Sequence, residues 1–94
     1  MYVRVNAGTA SVEDVRNLRQ LHVELAGIDD RAAAEALAGA GLGELDGDHA
    51  WLRIAALRAA GEDAWRAEFD AMIEYARTKG WVDGERVRAH VVRA

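Results

Sequence analysis

The sequence predicts an α+β fold, a small sheet covered on one face by helices. Three observations carry the prediction. Residues 2–6 and 86–92 alternate apolar and polar side chains, the two-residue period of a half-buried strand. Residues 62–79 put Trp65, Phe69, Met72, Ile73 and Ala76 on one stripe of an α-helix. A length of 94 residues, 51% of them hydrophobic and 30% charged, suits one globular domain, 1–94, with a single core.

In the first strand Val3 and Val5 point one way and Tyr2, Arg4 and Asn6 the other, and Gly8 ends it. Ser11 then stands as an N-cap with Asp14 three residues on. Val15, Leu18, Leu21, His22 and Leu25 recur at helical spacing up to Gly27, so a helix is expected over 11–26. Asp29 or Asp30 caps a shorter, alanine-rich helix over 30–38. Gly39-Ala40-Gly41-Leu42-Gly43 reads as a loop.

Asp46-Gly47 is a turn signal joining a short strand at Glu44-Leu45 to a longer one over 48–54. There Ala50, Leu52 and Ile54 share one face, and His49, Trp51 and Arg53 the other. A helix over 48–60 fits Trp51, Ile54, Ala55 and Arg58 nearly as well, and 55–60 read as a helical turn either way. The helix over 62–79 begins with Glu62 and Asp63 and ends with Lys79, which suits its dipole. Arg66–Asp70 and Glu74–Arg77 stand at contact spacing along it. Gly80 is its expected C′ residue, with Trp81 folding back toward Ala76.

Asp83-Gly84 marks the turn into the last strand, 86–92, where Val87, Ala89 and Val91 alternate with Arg86, Arg88 and His90. The expected fold is therefore a three-stranded sheet of 2–6, 48–54 and 86–92, with helices 11–26, 30–38 and 62–79 packed on one face. The alternative makes 48–60 and 86–92 helical and gives an all-α domain.

Composition removes several kinds of chemistry. The absence of cysteine excludes disulfides, thiol nucleophiles and thiolate metal sites. A net charge of −4 argues against a general polyanion binder, so no nucleic-acid partner is expected. No uncharged stretch is long enough to span a bilayer and no targeting segment is visible, so no membrane association and a cytoplasmic location are expected. Ser11 is the sole serine and Lys79 the sole lysine, and each has a helix-terminus role that accounts for it without catalysis.

Metal and phosphate motifs are missing as well. His22, His49 and His90 lie far apart, with no pair at the i, i+4 spacing by which one helix presents two ligands. The run Glu44-Leu45-Asp46-Gly47-Asp48-His49 fails calcium-loop spacing, since the sixth position is His49 and the twelfth Ala55. The glycine-rich 39–43 segment lacks the pattern of a phosphate loop. Neither a catalytic residue, a metal site nor a cofactor is expected.

Two candidate sites remain. The outward faces of the three expected strands bring together Tyr2, Arg4, His49, Trp51, Arg53, Arg86, Arg88 and His90. Arginine forks and aromatic faces suit carboxylates, phosphates or an acidic protein surface. This predicts a protein-interaction or regulatory accessory protein, self-associating through its open sheet edges and able to take an acidic protein or a small anionic ligand. The alternative is a small-molecule-binding protein or small enzyme. Its pocket would lie between the long helix and the sheet, with His22, Glu68, Tyr75 and Trp51 as polar lining.

Overall fold

The computed structural model describes residues 1–93; Ala94, the last residue of the single domain expected over 1–94, lies outside them. The alternating residues form strands as expected: β1 (Tyr2–Asn6), β5 (His49–Arg53) and β7 (Arg86–Arg93), with β4 (Gly43–Asp46) joined to β5 at the Asp46–His49 hairpin. The helices α1 (Asp30–Gly39), α2 (Ile54–Arg58) and α3 (Asp63–Thr78) also lie close to their expected positions. The Asp29 carboxylate caps α1 by accepting from the Ala32 amide at 2.8 Å. At the end of α3 the Trp81 amide donates to the Ala76 carbonyl and that of Gly80 to Arg77, the Schellman pair anticipated from Gly80.

The class is α+β, but the three-stranded sheet was too small. Seven strands form one sheet in the order β2-β1-β3-β7-β5-β4, with β6 (Val82–Asp83) also paired to β7. The all-α alternative falls with them. The largest correction concerns the helix expected over 11–26. Thr9–Glu13 is strand β2, antiparallel to β1, and His22–Leu25 is strand β3, parallel to both β1 and β7. Ser11 is therefore a strand residue and caps no helix.

The physical reason lies in what the spacing left out. Val15, Leu18 and Leu21 do pack against the core, as an amphipathic helix would have placed them. They do so from an irregular connector in which Asp14 takes a φ of 49°, incompatible with helix. Val12 and Val23 are β-branched and sit opposite Val3 in the sheet, where their stiff side chains pack well. Cross-strand partners distant in sequence outweigh a helical periodicity that is only local.

The helix α1 packs against β4 and also against β1 and β2. These strands are at opposite ends of the sheet, and β2 and β4 would be about 24 Å apart in a flat one. A ten-residue helix is only about 15 Å long and 10–12 Å across. The sheet must therefore curl so that both edge strands reach the same helix. Inside the curl, Phe69, Ile73 and Trp65 of α3 meet Ala33 and Leu37 of α1 and the inward valines and leucines of the strands. Among the described residues no buried side chain is polar or charged.

Polar contacts then hold the connectors to this core. The Trp65 indole donates to the Val15 carbonyl at 2.9 Å, anchoring the 14–21 connector to α3. Asp70 does not pair with Arg66. Arg58 grips it from α2 with two hydrogen bonds of 2.9 and 3.2 Å, while Arg66 turns to Asp63. Arg93 donates to Asp30, to Asp48 and to the Gly47 carbonyl, joining the end of β7 to the start of α1 and to the β4–β5 turn. Two glycines are demanded by close approach. A Cβ on Gly43 would lie 2.1 Å from the Trp51 carbonyl, and one on Gly61 would lie 2.0 Å from the Trp65 ring. Among the described residues no helix is long and apolar enough to cross a membrane.

Phe69 has no solvent exposure and its ring lies 5.0 Å from that of Trp65. Phe69→Ala is expected to cost about 3–5 kcal/mol in urea unfolding. A loss below about 1 kcal/mol would show that α3 does not organise the core. The Arg58 hydrogen bonds, ahead of its charge, hold the Asp70 carboxyl below the usual carboxylate range. Because the folded value is lowered, this stabilisation is present above about pH 4 and fades as pH falls through the lower folded value. A carboxyl titration followed by NMR is expected to place Asp70 below the ordinary aspartate value, and Arg58→Gln to raise it back toward that value.

Candidate functional site

Strand β7 has only two flanks. One pairs with β5 along 86–90; the other is shared by β6, at 86–87, and β3, at 90–93. The Arg88 amide donates to the Trp81 carbonyl at 2.7 Å, and beyond that bond the β6 ladder stops before β3 begins. The break leaves a cavity of about 320 Å³. It is walled by Met72, Ile73 and Ala76 of α3, by the 18–21 connector, and by Trp81.

Both faces of β7 contribute to this lining. Val87 points into the core, whereas Arg88 and His90 belong to the outward face, so the lining draws on residues of both faces at the break. His49 joins His90 at the outer lip, their rings edge to face with centroids 6.0 Å apart. Tyr75 and Trp81 stand at the mouth, 59% and 39% exposed, also edge to face at 6.3 Å. The floor is apolar and the lip carries Arg88, Arg19, His49 and His90.

The chain has 16 carboxylates, yet none lines this cavity among the described residues. That exclusion decides its character. Arg88 adds to it, because its side chain has no carboxylate partner among the described residues. Its neighbours on the sheet are all engaged. Arg4 donates to the Tyr2 hydroxyl at 3.0 Å and lies 3.7 Å from Glu24. Arg86 pairs with Glu44 and Asp83 and lies over the Trp51 ring. Arg53 donates to the Gly41 carbonyl at 3.4 Å.

The outward face does gather the residues expected there: Tyr2, Arg4, His49, Trp51, Arg53, Arg86, Arg88 and His90 lie on one side of the sheet. Its charge differs from the expected surplus of arginine. Strands β2 and β3, missed in sequence, bring Glu13 and Glu24 onto the same face, and the expected short strand β4 adds Glu44 and Asp46. Trp51 is held flat there, donating from its indole to Asp46 at 3.2 Å.

The expected pocket between the long helix and the sheet exists, with a different lining. Tyr75 contributes to it; His22, Glu68 and Trp51 do not. His22 lies on β3, outside the core, stacked on the Tyr2 ring at 5.1 Å and 3.7 Å from Glu24. Glu68 is an exposed residue of α3. Arg19, Leu21 and Trp81 were missed, the first two because 11–26 read as helix. Among the described residues no three His, Asp or Glu side chains are grouped to hold a metal ion.

Comparison with family models, with curated proteins and with solved structures found no match to the chain. The reading of the site therefore stands on its geometry.

Among the described residues Arg88 makes no ion pair that its loss would break, and it stands on the exposed face. Arg88→Gln is expected to change stability by less than about 0.5 kcal/mol in urea unfolding. A loss above about 1.5 kcal/mol would mean that Arg88 serves the fold rather than the cavity.

Proposed function

We propose that the protein is a small-molecule-binding accessory protein whose ligand is an amphipathic anion, a carboxylic acid with an apolar or aromatic body. The observation that carries this reading is the cavity at the β7 break, with its apolar floor, and with no acid in its lining and no carboxylate partner for Arg88 among the described residues. Burial of an apolar body against Ile73, Met72 and Val87 supplies affinity, and the cationic lip selects the charge. A guanidinium not already bound to a carboxylate presents its planar fork without first breaking an internal pair. The size suits a small ligand, being near the lower end of typical binding pockets.

The outward face as a docking surface for an acidic protein or a second copy has less support. Arg4, Arg53 and Arg86 are satisfied within the chain, and four carboxylates share the face with them. The edge strands β2 and β4 both lie near α1, which weakens the open-edge reason for self-association.

Titration calorimetry with octanoate and phenylacetate, each against its uncharged amide, tests the proposal. The acids are expected to bind at least about tenfold more tightly than the amides, the value of one charge-assisted hydrogen bond. Arg88→Gln is expected to remove most of that preference. Equal binding of acid and amide, or no binding of either, overturns the reading.

A further inference from the structure

The cavity's lip holds two imidazoles beside a guanidinium, and the two kinds of cation differ in one respect. Arginine is charged at every physiological pH, whereas an ordinary imidazole gains its charge near about pH 6.5. We propose that His49 and His90 make capture of the anion proton-dependent, so that the pocket binds its ligand more tightly as the medium acidifies. This inference rests on the anion-binding reading above.

The arrangement of the histidines supports it. All three in the chain, distant in sequence, occupy neighbouring positions of one cross-strand row: Tyr2, His22, His90 and His49, with Glu13 beyond one end and Asp46 beyond the other. Two of the three, His90 and His49, line the cavity and face each other edge on. The third, His22, is occupied by the Tyr2 ring and Glu24 and lies outside the lining.

The charged groups around the pair set the direction of the effect. From β7 itself comes Arg88, and from the connector Arg19, both cationic and both in the lining. On β3, His22 is the cross-strand neighbour of His90, with Glu24 one row further. On β4, Asp46 is the neighbour of His49, its carboxylate engaged by the Trp51 indole. Asp48, at the β4–β5 turn, is engaged by Arg93, and α3 offers only the Tyr75 phenol to the lining. A bound anion attracts a proton to the imidazoles beside it, so ligand and proton favour each other's binding by the same factor.

The probes are octanoate and octanesulfonate, the second ionised throughout the range. Between about pH 8 and about pH 5.5 the dissociation constant of octanesulfonate is expected to fall at least about tenfold, the total change given when the ligand raises a single proton's affinity about tenfold. The His49→Gln, His90→Gln double variant is expected to vary less than about twofold over the same range. His22→Gln is expected to keep the full dependence. Calorimetry of the wild type in buffers of different ionisation enthalpy is expected to show uptake of about half a proton or more per ligand near pH 7, a readout that needs no variant to fold. If the anions bind with no pH dependence and no proton uptake, the histidine inference falls while the anion-binding reading stands. It falls likewise if the double variant keeps the dependence or His22→Gln abolishes it. If neither anion binds at any pH, both fall.

Discussion

Strand β7 is asked to serve three partners with two flanks, and the rest of the molecule follows from how it does so. One flank is filled by β5. The other is divided between an antiparallel hairpin partner, β6, and a parallel partner, β3, brought from the far end of the chain. Two ladders of opposite direction cannot merge on one flank without a break, because their hydrogen-bond patterns differ. That break falls at Arg88, and the only way to close it from within is to lay α3 and the 18–21 connector against it. The cavity is thus a consequence of topology, and its lining samples both faces of the sheet because it sits where the sheet is interrupted.

The curl of the sheet is the second consequence. A single apolar face six strands wide is too broad for one short helix, and among the described residues only α1 and α3 are helices of more than five residues. Bending brings the edge strands to α1 and lets α3 fill the remaining concavity. The interior is left purely apolar, with the Trp65 indole reaching out to the Val15 carbonyl. The connector that carries this carbonyl is the one that supplies Arg19 and Leu21 to the cavity, so core packing and site geometry are coupled through a single tryptophan.

Charge is distributed by the same topology. Two arginines of the outward face, Arg4 and Arg86, meet carboxylates from strands adjacent in space and distant in sequence, Glu24 and Glu44. Those exposed pairs add little stability individually, yet they neutralise the face locally. Arg88 has Trp51 and the ladder break for neighbours, and among the described residues no carboxylate reaches it. Its availability reflects where it sits, since its residue type is shared by ten other positions that are mostly engaged or solvated.

By itself the sequence determined every element whose cause is local. The Asp29 cap, the Gly80 stop, the Trp65–Phe69–Ile73 stripe, the Asp46-Gly47 turn and the alternation in β1, β5 and β7 each follow from residues within one or two turns of one another. The inward and outward sides of those strands were legible for the same reason, and so was the gathering of Tyr2, Arg4, Trp51 and Arg88 on one face. Alternation was also present at His22-Val23-Glu24-Leu25, a signal for β3 that helical spacing from Val15 onward concealed. Only the tertiary structure decided β2 and β3, the curl, and the carboxylates that answer the outward arginines. It alone decided the cavity and placed His49 beside His90. Each of these depends on which strand lies next to which, and that choice is made by packing and hydrogen bonding between segments too far apart in the chain for any local pattern to record.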